Sequence, residues 1–320
     1  MPRILLVKTS SLGDVVHNLP VVSDIRRHAP DAEIDWVVEA SFAAIARLHP
    51  GVRRVIPVAL RRWRRTLLHQ TTRGEICAFL RTLREREYDA IIDTQGLLKS
   101  ALVACTARGA CYGLDWPSSR EPLRFLYDRT FRVPWGQHAV ERNRSLAAQA
   151  LGYAVPPQVH YGICAQRRAF PWLPNQPGQP YAVLLHATSA DRKLWPERQW
   201  IELSKHLFLN NIICVLPWGN DVERARSEQL AAMISGIVVP PTLALDDLAA
   251  LLVGAQGVVG VDTGLTHFAA ALNVPTVGIY CATDPAATGI YGRARAINLG
   301  GIGAPPAAVD VIDAWNKVTG

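Results

Sequence analysis

Three kinds of signature are missing from this chain. No predicted junction between a strand and a helix carries the GxGxxG of a dinucleotide-binding fold or the glycines of a Walker phosphate loop. The six cysteines are scattered and never have the CxxC spacing of a metal or redox site. No apolar run approaches the roughly 18 residues that a membrane span needs. We therefore expect neither a nicotinamide or flavin dehydrogenase nor a membrane-spanning protein, and we expect no cofactor and no structural metal.

The N-terminal apolar run is too short for a targeting segment. ILLV ends at Lys8, and no small-residue cleavage pattern follows it, so we predict a first strand in a protein that stays in the cytoplasm. Hydrophobic residues make up 49% of the 320-residue chain and charged residues 19%, which is typical of a globular enzyme. At roughly 150 residues a domain, this length predicts two domains.

Basic residues outnumber acidic ones only in the first half of the chain. Residues 1–160 hold 23 Lys and Arg against 15 Asp and Glu, a balance of +8. Residues 161–320 hold 11 against 12, a balance of −1. A basic first half attracts phosphates, nucleic acid or an anionic membrane surface, and charge alone does not choose among them.

Both halves alternate short apolar strands with helical stretches, which predicts an α/β fold with parallel, doubly wound sheets. We divide the chain into a Rossmann-like domain at 1–160, a proline-rich linker at 161–180, a second Rossmann-like domain at 181–304, and a helix at 305–320. That final helix is a candidate to pack back across the domain boundary. The predicted strands are residues 3–9, 33–39, 53–59, 88–95 and 110–115, then 181–188, 211–219, 236–241, 257–263 and 275–283.

The loop after the first predicted strand, in TSSLGDVVHNLP, is the first candidate for chemistry. Ser10, Ser11 and Gly13 predict a tight turn with free backbone N–H groups at a helix N-terminus, which suits an anion or a closely approaching ligand. Asp14 follows in the first helical turn. It either caps the helix, a contribution of about 0.5 to 1 kcal/mol, or points into a cleft. Its neighbours leave both interpretations open.

A polar loop of the second half offers groups for a diphosphate. In HATSADRKLWP, after the strand YAVLL, Thr188 and Ser189 supply hydroxyls and Lys193 supplies a cation. Such groups at the carboxyl end of a strand suit a phosphate. A solvated loop is the alternative.

A second loop, VDTGLTHFAAAL, precedes an alanine-rich helix. Asp262, Thr263 and Gly264 place donors at a helix N-terminus, whose dipole favours phosphate. His267 follows one turn further on, and a buried structural histidine is its alternative explanation.

Two further stretches give weaker signals. Glu223, near the start of a predicted helix after IICVLPWG, is placed where a carboxylate can bind ribose hydroxyls. LRRWRRT surrounds Trp63 with arginines that either bind a multiply anionic substrate or form a solvated face. These arginines are Arg61, Arg62, Arg64 and Arg65.

Taken together, these stretches resemble the heptosyltransferase I family, glycosyltransferases that add the first heptose to the inner core of bacterial lipopolysaccharide. The resemblance covers essentially the whole chain. It rests on the ordered set VKTSSLGDVVHNLP, DWVVEA, RVIPVALRRWRR, YDAIIDTQGLLKSA, REPL with HAVER, LLHATSADRKLWPE, LPWG, and VDTGLTHFAAAL followed by TDP. It implies the GT-B architecture, two Rossmann-like domains facing across a cleft. It also implies inverting transfer of a heptose from ADP-heptose to Kdo of Kdo-lipid A.

The resemblance also implies residue roles. Asp14 would be the general base on the attacking Kdo hydroxyl, and Lys193 would neutralise the charge that grows on the departing ADP. The implied donor site is Lys193, Thr188, Ser189, Glu223 at the ribose, Leu243 at the adenine, Asp262 at the sugar or the loop, Thr263, Gly264 and His267. The implied acceptor site is Ser10, Gly13, Arg61, Arg62, Arg64, Arg65, Lys99 and Arg120.

Because Kdo-lipid A lies in the cytoplasmic leaflet, the resemblance implies peripheral contact with the cytoplasmic face of the inner membrane and no nucleic-acid partner. Trp63 would be an apolar anchor there. Two departures concern the donor loops. Cys281 and Ala282 stand where we expect Gly-Pro after a tyrosine, and Leu194 stands where we expect a polar residue.

Three other functions compete with this one. A heptosyltransferase of the same kind could act on a later acceptor, such as the heptose just added. A sugar-nucleotide epimerase shares the two-domain layout and needs no acceptor site. A noncatalytic protein would bind anionic lipid or nucleic acid through the arginines, with strong salt dependence.

Overall fold

In a computed structural model, the chain divides into two compact units, Met1–Ile163 and Cys164–Gly320. The structure describes residues 1–174 and 179–320. Residues 175–178 of the predicted linker, Pro177 among them, lie outside the described residues. The division between the units falls within the predicted linker, whose own bounds stay a prediction.

A six-stranded parallel sheet forms the centre of the first unit. Its strand order is β3-β2-β1-β4-β5-β6, so the chain starts in the middle, moves to one edge and then returns toward the other. The order reverses between β1 and β4, and open α/β sheets bind ligands beside the carboxyl ends of the strands at such a point. The strands are β1 (Arg3–Val7), β2 (Glu33–Glu39), β3 (Val52–Val58), β4 (Glu87–Asp93), β5 (Arg108–Leu114) and β6 (Arg129–Phe131).

Helices cover this sheet and explain why its strands are so apolar. In β1, every residue after Arg3 is buried, as expected for a parallel strand with helices on both faces. The helices are α1 (Leu12–His28), α2 (Ala43–Arg47), α3 (Leu60–Trp63), α4 (Gln70–Arg84), α5 (Leu98–Thr106) and α6 (Ala139–Leu151). Helix α6 is capped at its C-terminus by Gly152, whose φ of 75° is a left-handed conformation that glycine adopts without a steric penalty.

The second unit repeats this plan with the order β12-β11-β10-β7-β8-β9. All its strand pairs are parallel, and its order reverses between β7 and β10. The strands are β7 (Tyr181–Leu185), β8 (Ile213–Val215), β9 (Ile237–Val238), β10 (Gly257–Val261), β11 (Thr276–Tyr280) and β12 (Ala296–Gly300). The helices are α7 (Glu197–Leu209), α8 (Asp221–Met233), α9 (Leu245–Gly254), α10 (Gly264–Ala271), α11 (Pro285–Thr288) and α12 (Ala308–Thr319).

The prediction of two doubly wound parallel sheets is confirmed. Each of the ten predicted strands coincides with an observed strand, although several end earlier because the predicted stretches ran on into functional loops. The sequence missed β6 and β12, which lie at sheet edges. Edge strands bury less side-chain area, and β12 is half-buried over most of its length, so neither has a continuous apolar run to reveal it.

The C-terminal helix α12 packs within the second unit. It contacts α7 and the strands β10, β11 and β12, and its apolar face buries Val311, Trp315 and Val318 in the core of that unit. The predicted crossing of this helix toward the first domain stays a prediction. No helix in residues 1–174 or 179–320 is both long and apolar enough to cross a membrane.

Candidate functional site

A charged cavity of about 250 Å³ lies in the first unit, where its strand order reverses. The loop after β1 and the loop after β4 form two of its walls, and helix α6 forms a third. The cationic lining residues are Lys8, Arg61, Lys99, Arg120 and Arg142, and the only carboxylate among the lining residues is Asp14. Arginine and lysine side chains bind carboxylates and phosphates through charge-assisted hydrogen bonds. This cavity is therefore suited to an anionic ligand that meets one carboxylate.

Asp14 combines both of the roles that the sequence left open. It occupies the third position of α1, and its Oδ2 accepts hydrogen bonds from the Ser11 backbone N–H at 2.6 Å and the Ser11 hydroxyl at 3.1 Å. This is a capping box. The same side chain is half-buried and lines the charged cavity. The cap thus fixes the position of the carboxylate in the lining of the cavity.

Lys8 is a cavity residue that the sequence analysis missed. Its side chain is only 6% exposed, and its ammonium donates to the Thr94 carbonyl at 2.8 Å and to Asn143 Oδ1 at 3.3 Å. Burial lowers the pKa of Lys8, while the nearby carboxylates of Asp14 and Asp93 act in the opposite direction. In the sequence, the one indication of this role was a lysine placed directly after a buried strand.

The predicted acceptor residues divide into two groups. Arg61, Lys99 and Arg120 line the charged cavity, as does Ser10, whose hydroxyl accepts a hydrogen bond from the Lys99 ammonium at 2.8 Å. Gly13 lies in the first turn of α1.

The other arginines of the run are placed outside the charged cavity. Arg62 makes a two-point ion pair with Glu75, at 3.0 and 2.6 Å. Arg64 lies on the edge of a second, apolar cavity, and Arg65 is exposed.

The prediction of Trp63 as a membrane anchor is wrong. The indole is 7% exposed, donates to Glu75 Oε2 at 2.7 Å and packs edge to face on Phe79. It is a core residue because Glu75, on the next helix, satisfies its N–H.

The loops after β7 and β10 meet at Asp262 in the second unit. Its carboxylate accepts from the Lys193 ammonium at 2.7 Å and the Thr283 hydroxyl at 2.7 Å, and it lies 3.5 Å from His267 Nε2. Its backbone carbonyl accepts from the Thr188 hydroxyl at 3.1 Å. This cluster lies where the strand order reverses, as the charged cavity does in the first unit.

Asp262 holds this cluster together as an anion. Burial acts to raise the pKa of Asp262, but hydrogen bonds from His267, Lys193 and Thr283 outweigh it and hold the pKa well below its usual range. An ammonium has three donors, and Asp262 takes one of those on Lys193. The lysine is thus oriented by Asp262 and keeps donors for a ligand phosphate.

The remaining predicted donor residues are near this cluster or in the neighbouring loops. Ser189 is exposed in the loop after β7, Thr263 is the N-cap of α10, and Gly264 is its first residue. Glu223 lies in the first turn of α8, which follows β8, and Leu243 lies in the loop after β9. Glu223 Oε2 accepts the Gly219 backbone N–H at 2.8 Å, and Leu243 is half-buried.

The sequence departures leave the Asp262 cluster intact. Cys281 is buried, and Thr283 two residues later still donates to Asp262. Leu194 directly follows the short helical turn Asp191–Lys193, whose last residue is Lys193. Thr283 was a second residue missed by sequence reasoning, because only the sheet order shows that β11, which precedes it, lies next to β10, which precedes Asp262. Within residues 1–174 and 179–320, no three His, Cys, Asp or Glu side chains are grouped as metal ligands would be.

His186 predicts a pH dependence of stability. It is fully buried after β7, its Nε2 lies 2.8 Å from the Ser227 hydroxyl, and burial lowers its pKa to about 4. The unfolded state takes up a proton near pH 6.5, so this histidine's contribution to stability is complete above about pH 6.5 and is lost as pH falls toward 4. We expect His186→Gln to show a smaller fall in unfolding temperature between these pH values by calorimetry. An exposed control, His69→Gln, should keep the full fall, and an unchanged slope for His186→Gln would contradict the assignment.

Comparison with known proteins places the chain in a family. Residues 76–310 match the family model of glycosyltransferase family 9 (heptosyltransferase). The chain is 48% identical over 302 residues to lipopolysaccharide heptosyltransferase 1 of Pseudomonas aeruginosa, covering 93% of this chain and 83% of that protein.

Two solved structures are similar over almost the whole chain. The structure of the Escherichia coli heptosyltransferase WaaC with ADP has a TM-score of 0.89 and 42% identity over 99% of both chains. The structure of WaaC with ADP-2-deoxy-2-fluoro heptose has a TM-score of 0.85 and 41% identity, over 98% of this chain and 99% of that one. This chain, with its two Rossmann-like units of the GT-B type, therefore belongs to glycosyltransferase family 9, the heptosyltransferases.

Proposed function

We propose that this enzyme transfers a heptose from ADP-heptose to Kdo of Kdo-lipid A, with inversion at the anomeric carbon, in the synthesis of the lipopolysaccharide inner core. The observation that carries the acceptor half of this proposal is the charged cavity, where five cations surround the Asp14 carboxylate. The donor half is supported by the cation and hydroxyl cluster at Asp262 and by the related structures with ADP and with a fluorinated ADP-heptose.

In the proposed reaction, Asp14 takes the proton from a Kdo hydroxyl as its oxygen attacks C1 of the heptose. The bond from C1 to the diphosphate oxygen breaks, and ADP leaves with the electron pair. Attack from the face opposite the leaving group inverts C1. A positioned general base contributes typically 100-fold to 10,000-fold to such a rate, and cations at the departing diphosphate stabilise the charge that develops on it.

The proposed donor roles are those that the family resemblance implies, and charge supports the roles of Lys193 and Asp262. Lys193 binds the diphosphate and stabilises it as it leaves, and Thr188, Ser189, Thr263, Gly264 and His267 donate hydrogen bonds to it. Asp262 holds Lys193 and the loop, since a carboxylate aimed at phosphate would repel it. Glu223 holds the ribose hydroxyls and Leu243 lines the adenine site.

Lys8 gives a prediction specific to the acceptor. A buried ammonium with a lowered pKa gains strongly from an anion that replaces its lost hydration, and a hydrogen bond to a charged group is worth about 1.5 to 3 kcal/mol. We expect Lys8→Met to raise the KM for Kdo-lipid A about tenfold or more and to leave the Kd for ADP unchanged. Steady-state kinetics and calorimetric ADP titration measure the two effects, and an unchanged acceptor KM would remove Lys8 from the acceptor site.

The direct test is an activity assay with ADP-heptose and Kdo-lipid A. Lipid A without Kdo and an already heptosylated acceptor serve as controls, and NMR of the product reports the anomeric configuration. Transfer only to the heptosylated acceptor would show a later-acting heptosyltransferase. Consumption of ADP-heptose to an isomer without any acceptor would show an epimerase.

We also propose peripheral contact with the anionic cytoplasmic face of the inner membrane. The exposed arginines Arg64 and Arg65 and the +8 balance of residues 1–160 support it, because each Lys or Arg near an anionic surface contributes about 1 kcal/mol. Co-sedimentation with anionic vesicles, but not with zwitterionic ones, is the expected result. Salt-sensitive nucleic-acid binding with no effect of ADP would favour a noncatalytic protein instead.

A further inference from the structure

A second cavity, of about 500 Å³, lies beside the charged one in the first unit. We call it the apolar groove. It is formed by α3, the loop that follows α3, α4 and α5, and it is open to solvent. Its apolar lining includes Trp63, Leu67, Phe79, Leu102 and Val103.

The apolar groove is continuous with the core of the first unit. Trp63, Phe79 and Val103 are buried members of that core. Leu67 and Leu102, by contrast, are 52% and 51% exposed. Half-exposed leucines next to an open apolar cavity are typical of a binding surface, because a bound ligand that covers them removes apolar area from solvent.

The apolar groove also shares residues with the charged cavity. Arg61 and Lys99 line both of them, and Arg64 adds a third cation to the groove. The carboxylate of Glu39, also in the lining, accepts the Arg61 backbone N–H at 3.3 Å and so anchors the backbone of a residue that lines both cavities. An anionic head in one cavity would thus lie beside an apolar tail in the other.

We propose that the apolar groove binds one acyl chain of the anionic glycolipid whose sugar occupies the charged cavity. This inference rests on the proposed function for its acceptor, and it adds a binding site for the lipid part of that acceptor. The shared cations select this occupant: a chain attached to an anionic head satisfies Arg61 and Lys99 and fills the groove at once. A protein helix would fill the groove but would not place an anion against both cations.

The first experiment measures the binding of alkyl phosphates of increasing chain length, kept below the concentration at which they form micelles. Inorganic phosphate is the head-only reference. We expect affinity to rise about fourfold for each added methylene until the groove is full and then to level off. Leu102→Gln and Leu67→Gln should flatten this series, with circular dichroism as the check on folding. Leu68→Gln is the matched control, since Leu68 is 83% exposed and not part of the groove lining.

The second experiment compares KM values for acylated and fully deacylated Kdo-lipid A. In the unchanged enzyme we expect the acylated acceptor to have a KM at least about tenfold lower, and Leu102→Gln should bring the ratio of the two toward one. A flat chain-length series alongside normal transfer to Kdo would overturn the acyl-chain site and leave the proposed function standing. Absence of transfer to either acceptor would overturn the proposed function itself. Groove variants that weaken vesicle binding but not alkyl phosphate binding would assign the groove to the bilayer surface and overturn the inference.

Discussion

Replacing Asp14 with alanine is expected to lower turnover at least about 100-fold, the usual scale for the loss of a general base, with the Kd for ADP little changed. The reason is that Asp14 and the groups predicted to bind ADP lie in different units. Asp14 lines the charged cavity of the first unit, whereas the predicted diphosphate groups cluster at Asp262 in the second. Single-turnover kinetics with saturating ADP-heptose measures the first quantity, and ADP titration measures the second.

Asp14→Ala removes both the cap of α1 and the proposed general base, so the test must distinguish these two losses. Asp14→Asn keeps an oxygen that can accept the Ser11 N–H and loses only the basic carboxylate, so we expect it to be as slow as the alanine variant. Asp310 provides a matched control, because it accepts the Ala307 N–H at 3.1 Å in the same position of α12. Asp310→Ala should cost about 1 kcal/mol of stability and leave turnover intact. Near-normal turnover in Asp14→Asn would assign Asp14 to the helix cap alone.

Replacing Lys193 with methionine is expected to weaken both donor binding and rate. Lys193 is 22% exposed and bound to Asp262 at 2.7 Å, so its remaining donors are held ready for a phosphate. Loss of a charge-assisted hydrogen bond costs about 1.5 to 3 kcal/mol, which corresponds to a rise of about tenfold or more in the Kd for ADP. Turnover should fall as well, because the cation also stabilises the departing diphosphate.

The Lys193 test needs a control for charge and one for stability. Lys205→Met removes an exposed lysine of α7 outside the Asp262 cluster and should leave the Kd for ADP unchanged. Unfolding temperatures show whether Asp262, deprived of its partner, destabilises the second unit. Equal ADP affinity in Lys193→Met and the unchanged enzyme would show that Lys193 serves only as the counter-ion of Asp262.

The sequence predicted the strands better than it predicted the contacts between side chains. Buried strands such as β1 and β10 are recognisable because every residue in them after Arg3 of β1 is apolar or small, a local property that needs no knowledge of the partner strand. The edge strands β6 and β12 lack that property, so they were missed.

Side-chain roles depended on contacts between distant residues. Arg62 and Trp63 were interpreted through their neighbours in the run, yet both are bound to Glu75, 12 or 13 positions away. Lys8 was missed because the groups that hold it, Thr94 and Asn143, are 86 and 135 positions away.

Residue patterns within short windows were enough to predict the α/β class, the two doubly wound sheets, the loops after the strands as sites of chemistry, and the resemblance to a family. Which of those loops meet depends instead on the three-dimensional fold. The fold brings five cations of the first unit into one cavity with Asp14, pairs Lys193 with Asp262 across 69 positions, and places an apolar groove beside the charged cavity. The physical reason is that strand order, which no short window contains, brings the loops after β1 and β4, and those after β7 and β10, to the same edge of their sheets.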